Sequence, residues 1–293
     1  MKDLSGKTAF ITGAASGIGY GMAEAFLDEG MRVVITDVQQ DALDTAAKEL
    51  GAHGEVVTIR LDVTDRDAWA RAADDAQAKV GNIHVLCLNA GVTQRGRLDR
   101  ASYDDWDWVL GVNLGGVING VVTMVQRMEA HGEPGHIVTT ASAAGLVASP
   151  GNGVYNVAKY GVVGLSETLR KELERFNIGV SVLCPGAVQT GINEAFRNRP
   201  ANLAKAGNVM TDEQMELMHK SFEGGSTPRE IGDYVVGGIK RNEMYMLPHA
   251  EFKPVFEKRA EEVLSCFTTD APDPTRVANN KYRVEGFAKF WEE

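Results

Sequence analysis

A chain of 293 residues with 44% hydrophobic and 24% charged side chains has the make-up of a globular protein, long enough for one large domain or two small ones. Its formal net charge of -10 argues against a nucleic-acid partner, because no basic stripe offsets the acidic balance. Three widely spaced cysteines, Cys87, Cys184 and Cys266, exclude a disulfide framework and fit a reducing compartment. The N-terminus carries no signal-peptide core, and no run reaches the ~18 apolar residues of a membrane span. The expectation is a cytoplasmic protein with no nucleic-acid and no membrane partner.

In chain order, KTAFIT (7–12) reads as a short buried strand, followed by the glycine turn TGAASGIG (12–19) and a helix through Asp28. MRVVITD (31–37) is a second strand and DALDTAAKEL (41–50) a second helix. VVTIRLD (56–62) is a third strand, and Thr64-Asp65-Arg66-Asp67 resembles a capping box opening the next helix. IHVLCLNAG (83–91) is a fourth strand, after which Ser102-Tyr103-Asp104-Asp105 caps a long helix to about Ala130. HIVTTAS (136–142) and IGVSVLCPG (178–186) are a fifth and a sixth strand. Thr227-Pro228-Arg229-Glu230 starts a helix ending near Arg241, and EMYMLP (243–248) adds a seventh strand.

Strands of near-continuous Val, Ile and Leu separated by helices imply a parallel sheet covered on both faces. Two βαβαβ halves give an α/β, doubly wound Rossmann fold with seven parallel strands. Its ligand binds at the carboxyl ends of the strands. With no internal linker, residues 1–248 read as one catalytic domain and 249–293 as a C-terminal tail.

The turn after the first strand is Gly-x3-Gly-x-Gly rather than Gly-x-Gly-x-x-Gly, yet its strand-turn-helix setting suits a pyrophosphate. Asp37 ends the second strand. A carboxylate there accepts hydrogen bonds from ribose hydroxyls and repels a 2′-phosphate. No Lys or Arg stands at Ala14, Ala15, Ser16 or Val38 to receive that phosphate, so NAD is expected over NADP. Tyr155 and Lys159 share a helix face, with Ser142 on the preceding strand end. Together these residues describe an enzyme that moves a hydride while a phenol handles the proton.

The chain resembles the short-chain dehydrogenase/reductase family. TGAASGIG, Asp62-Val63, Asn89-Ala90-Gly91, Asn113, Ser142, Tyr155-Asn156-Val157-Ala158-Lys159 and Pro185-Gly186 stand in the family's order from residue 7 to about 190. The resemblance implies that Gly13, Ser16, Gly17, Ile18 and Gly19 cradle the cofactor. It implies that Asp62 and Val63 face the adenine and that Asn89, Ala90 and Gly91 floor the site. Asp62 also reads as a capping aspartate. Pro185, Gly186, Val188 and Thr190 complete the cofactor set, with Thr190 near the nicotinamide carboxamide.

By the same resemblance the catalytic residues are Asn113, Ser142, Tyr155 and Lys159, with Tyr155 and Lys159 also touching the cofactor. A free tyrosine titrates near 10, so acting as base near pH 7 takes about 3 units, or roughly 4 kcal/mol. Lys159 and the oxidised nicotinamide are the expected positive charges. Ser142 holds the substrate oxygen, and Asn113 positions a water leading from Lys159 to solvent. A homodimer or homotetramer is implied, through the helices beginning near Ser102 and Tyr155.

No metal site is expected, since the six histidines never pair at ligand spacing. Two segments should cover the nicotinamide: AAGLVASPGNGV (143–154), and a lid over about 191–225 carrying Phe196, Met210, Met215, Leu217, Met218 and Phe222. Arg197 and Arg199 read either as anion contacts or as solvated surface. The stretch from Ser102 to Gly120, PGHIVTTAS (134–142) and EMYMLPHAEFKPVFEKRAEEVL (243–264) are similar to bacterial dehydrogenases acting on lignin-derived aryl ethers. The expected reaction is NAD-dependent oxidation of a bulky secondary alcohol. Ketone or 3-oxoacyl reduction is the alternative, and a non-catalytic dinucleotide sensor a distant one.

Overall fold

The computed structural model describes residues 1–208 and 211–292. Seven strands form: β1 (Thr8–Thr12), β2 (Arg32–Asp37), β3 (Val56–Arg60), β4 (Val85–Leu88), β5 (Gly135–Thr140), β6 (Ile178–Leu183) and β7 (Tyr245–Met246). The helices of the same unit are α1 (Gly17–Asp28), α2 (Gln40–Leu50), α3 (Arg66–Val80), α4 (Tyr103–Leu110), α5 (Gly116–His131), α6 (Gly153–Leu173), α7 (Asp212–Glu223) and α8 (Pro228–Arg241).

Every strand pairing is parallel, in the order β3-β2-β1-β4-β5-β6-β7. This is the doubly wound seven-stranded sheet expected from the sequence. β1, β4 and β5 are buried throughout, because helices cover both faces and leave no side for polar alternation. Met22 and Phe26 of α1, Leu43 of α2 and Ile231 and Val235 of α8 pack on one face. Trp69 of α3, Val117 and Met124 of α5 and Val162 of α6 pack on the other. The strand order reverses between β1 and β4, which opens a crevice at their carboxyl ends.

The observed strands stop short of the apolar runs that announced them. Asn89-Ala90-Gly91, Ala141-Ser142 and Cys184-Pro185-Gly186 all lie beyond the last paired residue. These residues leave the ladder to build turns at the site. Thr64 is not the cap of α3: Asp65 is, accepting from Ala68 N at 2.9 Å, while Thr64 turns back onto Asp62 at 2.8 Å. The capping boxes at Ser102/Asp105 and Thr227/Glu230 both form.

The long helix expected from Ser102 forms and runs over Tyr103–His131. A π-helical turn over Gly111–Gly115 separates α4 from α5, and such turns recur at functional sites. The sequence expectation that nothing is apolar enough for a membrane span is also corrected. Tyr103–His131 has a mean hydropathy of 1.6 over its apolar window. Half of that window is buried inside the fold, with Val117, Met124, Val125 and Met128 in the core, so the apolar face is accounted for by packing.

Helices α1 and α8 meet through glycine. A Cβ at Gly21 would lie 2.0 Å from the Pro228 carbonyl oxygen, and one at Gly232 2.1 Å from the Gly21 oxygen. Backbone cannot yield as a side chain does. Gly21→Ala is therefore expected to cost about 3 kcal/mol, the upper end for overpacking, and to lower Tm by roughly 6–12 °C. Thermal unfolding checks this, and an unchanged Tm would mean that the two helices part freely.

The first compact unit is Met1–Phe252, and Lys253–Glu293 forms a second. The second consists of α9 (Lys253–Ser265) and α10 (Pro274–Glu292), with Val255, Leu264, Phe267 and Tyr282 exposed.

Candidate active site

The glycine turn between β1 and α1 is built for close backbone approach. Gly13 and Gly17 have φ of +64° and +57°, where a side chain is strained. A Cβ at Gly13 would sit 2.8 Å from Ala90 Cα, and one at Gly19 would sit 2.3 Å from the Gly13 oxygen. Ser16 precedes α1 without capping it, and the first turn, which holds Ile18, has no acidic residue. The helix N–H groups are thus left for an anion. The cradle fits a dinucleotide pyrophosphate.

The floor beside it is pinned by Thr12, whose hydroxyl accepts from Asn89 N at 2.9 Å and Ala90 N at 3.0 Å. Asn89 Nδ2 donates to the Thr12 oxygen at 3.0 Å and the Gly13 oxygen at 3.3 Å. Thr140 donates to Asn89 Oδ1 at 3.0 Å, so β1, β4 and β5 are tied together at their ends. Asp37 stands at the end of β2, with its carboxylate accepting from Ala15 N at 3.4 Å and Gln39 N at 3.1 Å. That holds it beside the glycine turn.

Asp62 and Val63 differ in burial. Asp62 stays exposed and forms the turn with Thr64, as a capping aspartate does. The Val63 side chain is buried, and a Cβ at Gly116 would meet its Cγ2 at 2.7 Å. Its carbonyl takes bonds from Trp69 and Asn119, both at 3.0 Å. The exposed Asp62 carboxylate and the backbone of the pair are left to face an adenine. On the other side, Val188 is buried and bridges to Ser226. The Thr190 methyl would lie 3.1 Å from a Cβ on Gly17, so this threonine reaches the glycine turn.

The chemistry gathers where β4, β5 and α6 meet. Lys159 is buried at 2% exposure and donates to the Thr140 oxygen at 2.8 Å. Burial brings its pKa down to about 8. Its Nζ lies 5.5 Å from the Tyr155 ring centre. Asn113, in the π-helical turn, is fully buried and spends both side-chain ends on Val92, at 2.8 Å each way. A side chain at Gly91 would touch both Asn113 Oδ1 and Lys159 Nζ. Ser142 is held by the Ala144 N–H at 3.2 Å and by the Pro185 oxygen at 3.5 Å.

Burial raises the Tyr155 pKa, and a hydrogen bond from Ser142 and the charge of Arg95 work against that rise. The sequence argument gave this work to Lys159. In the structure Lys159 stands beside the ring, and Arg95, which the sequence reading did not single out, adds a second positive charge that acts on the phenol. Its position in the loop after β4, at the carboxyl end of the sheet, was the available signal.

Two further residues were missed. His249 accepts from Gly186 N at 3.0 Å and pairs with Ser226 at 3.2 Å, which fixes the loop of Pro185, Gly186 and Val188. Asp105 was read only as a cap. It also receives Arg199 Nη1 at 2.6 Å, with 0% and 5% of the two side chains exposed. This corrects Arg199, which is neither solvated surface nor open to an anionic ligand. Its guanidinium lies over Trp108 at 5.1 Å and Phe196 at 5.5 Å. Arg197 stays partly exposed beside Glu194.

Over the segment expected to be a lid, 3-10 turns cover Gly191–Asn198 and Ala201–Leu203, with α7 following. Met215 and Leu217 are exposed. Met210 and the Met218 side chain lie outside the described residues. The three cysteines are unpaired, with Cys87 and Cys184 buried. Burial pushes the Cys184 thiol up to about 12, which makes it inert. Among the described residues no group of three or more His, Cys, Asp or Glu side chains is arranged for a metal.

Comparison with known proteins gives a consistent picture. Residues 7–201 match the family model of the short chain dehydrogenases. A C alpha-dehydrogenase from Sphingobium sp. is 40% identical over 280 residues, covering 94% of this chain and 90% of its own. A 3-oxoacyl-(acyl-carrier-protein) reductase from Thermotoga maritima is 40% identical over 202 residues, 69% of this chain and 82% of its own. The crystal structure of a short chain dehydrogenase/reductase from Burkholderia phymatum in complex with NAD superposes with a TM-score of 0.87. It is 35% identical and covers 93% of this chain and 99% of its own.

Proposed function

The chain belongs to the short-chain dehydrogenase family and is an oxidoreductase acting on alcohols; from that premise we propose that it interconverts a bulky apolar or aromatic secondary alcohol and its ketone, with NAD preferred over NADP. The observation that carries this reading is the meeting of Ser142, Tyr155 and Lys159 beside a glycine cradle that faces Asp37. The 40% identity to a C alpha-dehydrogenase supports the aryl alcohol as the substrate class.

When bound, NAD supplies the hydride acceptor. Gly13, Ser16, Gly17, Ile18 and Gly19 would hold its pyrophosphate, Asp37 its adenosine ribose, and Pro185, Gly186, Val188 and Thr190 its nicotinamide half. Ser142 donates a hydrogen bond to the substrate oxygen and favours the alkoxide as it develops. Tyr155 takes the hydroxyl proton in oxidation and returns it in reduction. Lys159, its ammonium easily deprotonated by burial, passes that proton toward the Asn113 turn and solvent.

A second reading, 3-oxoacyl reduction, is favoured by the likeness to the Thermotoga reductase, and Asp37 opposes its NADPH-driven form. The protein is further inferred to act in the cytoplasm, and as a homodimer or homotetramer through α5 and α6, where Ile118, Val122 and Val157 are exposed. The test is absorbance of reduced nicotinamide, with NAD or NADP and a panel of 1-arylpropanols, aryl-ether model dimers, hydroxysteroids and 3-hydroxyacyl thioesters. Turnover of benzylic alcohols with NAD is expected. Activity confined to hydroxyacyl thioesters with NADP would transfer the assignment to the second reading.

A further inference from the structure

Beside Lys159, Arg95 is a second cation whose charge favours the Tyr155 phenolate, and among the described residues that charge has no partner of its own. Its Nε is sealed from solvent and makes no hydrogen bond. Among the described residues no carboxylate lies within ion-pair distance of it. A buried guanidinium nitrogen left unmatched costs free energy that an oxygen acceptor would recover.

The loop that carries Arg95 is held in place by its neighbours in sequence. Gly96, the next residue, bridges to Asn152, and its N–H donates to the Gly151 oxygen at 2.8 Å. That pairing sets Arg95 beside the segment that enters α6 just ahead of Tyr155. Gln94 is buried and donates to the Asn208 oxygen at 3.3 Å. Asn208 donates in turn to the Arg97 oxygen at 3.1 Å. The segment ending at Asn208 therefore lies over the loop that carries Arg95. Ser142 stands beyond the end of β5 and Lys159 on α6, whereas Arg95 stands on the loop after β4, against the segment that contains Asn208.

We propose that Arg95 is a substrate-recognition residue that takes an electron-rich oxygen, a carboxylate or a hydroxyl or ether oxygen, carried by the substrate within a few bonds of the carbinol carbon. The guanidinium donates from a planar fork that suits such oxygens. A site built to hydrogen-bond a substrate oxygen rejects the analogue that lacks it. This inference rests on the proposed action on secondary alcohols and narrows the substrate within that class.

The experiment compares kcat/KM with NAD for three alcohols sharing one aryl group: 3-hydroxy-3-phenylpropanoate, 1-phenylpropane-1,3-diol and 1-phenylpropan-1-ol. In the wild type at least one oxygen-bearing alcohol is expected to exceed the bare one at least tenfold, mainly through KM. In Arg95→Gln that ratio is expected to fall to about one, whatever common loss all three share, and Arg95→Lys is expected to restore part of it. A wild-type ratio near one, or a ratio unchanged in Arg95→Gln, overturns the proposal.

Calorimetric titration of the wild type and Arg95→Gln with 3-phenylpropanoate and 3-phenylpropan-1-ol needs no turnover. At least one of the two is expected to bind the variant about tenfold more weakly, and equal binding of both in the two proteins overturns the proposal. If no alcohol is oxidised, the functional assignment fails by itself and the titration still decides the role of Arg95.

Discussion

Tyr155→Phe is expected to lower kcat for alcohol oxidation by about 10²–10⁴-fold, the range carried by a positioned acid or base, with NAD affinity changed less than about threefold. In the proposed mechanism the phenol is the group that exchanges a proton with the substrate oxygen. Ser142 is a neutral hydroxyl, and Lys159 points to the Thr140 oxygen. Removing one oxygen atom leaves the ring in place and so spares the cofactor cradle. Single-turnover absorbance measures the first quantity and nucleotide fluorescence titration the second. A variant that retains more than a tenth of wild-type kcat would assign the proton transfer to another group.

The same tyrosine sets a pH dependence. Burial holds its proton on, so its pKa lies above the ordinary value, with Ser142 and Arg95 opposing. A base must lose that proton to act, and oxidation below the pKa therefore rises with pH, steeply from about pH 6 to 8. Lys159, with a pKa of about 8, loses its charge above that point and flattens the rise. Carbonyl reduction, which needs the protonated phenol, lacks this ascending limb.

Asp105→Asn is expected to destabilise the fold by about 3–5 kcal/mol, because the buried Arg199 charge is left uncompensated. Burial alone would raise the Asp105 pKa. The Arg199 hydrogen bond and the N–H groups of Ser102 and Gly207 outweigh it and hold the carboxyl below its usual range. Ser102 N donates at 2.8 Å, Gly207 N at 2.9 Å and Arg199 Nη1 at 2.6 Å. Arg199 also donates to the Leu203 and Lys205 oxygens, so one carboxylate at the start of α4 fastens the segment from Arg199 to Gly207.

Thermal unfolding reads the global loss, and limited proteolysis within 191–208 reads the local one. Replacing both partners together, Asp105→Leu with Arg199→Met, is expected to recover part of the stability, since no buried charge is left unmatched. Undiminished Tm in Asp105→Asn would show that solvent reaches this pair.

What was legible in the sequence was whatever local spacing dictates. Apolar runs of strand length, glycines at a turn between strand and helix, and the four-residue step from Tyr155 to Lys159 carry their meaning within a short window. They yielded the doubly wound sheet and the cluster at its carboxyl ends. Capping residues were equally readable at Ser102 and Thr227, because a cap bonds within its own first turn. Thr64 misled, since Asp65 beside it offered the backbone a competing acceptor one residue later.

What only the tertiary structure decided depends on groups distant in sequence. Arg199 and Asp105 are separated by 94 residues, and nothing near either one announces the other. The π-helical turn at Asn113 sits within a helix whose local pattern is continuous, and both ends of that side chain are bound to the distant Val92. Arg95 is one of several arginines in an ordinary polar loop until the Gly96 bridge sets it beside Tyr155. Desolvation is likewise a property of the packed whole. The sequence names Lys159 as a cation, and only burial among β5, α6 and the Asn113 turn brings its proton within reach of physiological pH. Periodicity and spacing therefore determined the fold and the kind of chemistry, while long-range packing determined which charges act on the phenol and what holds the segment around Arg199.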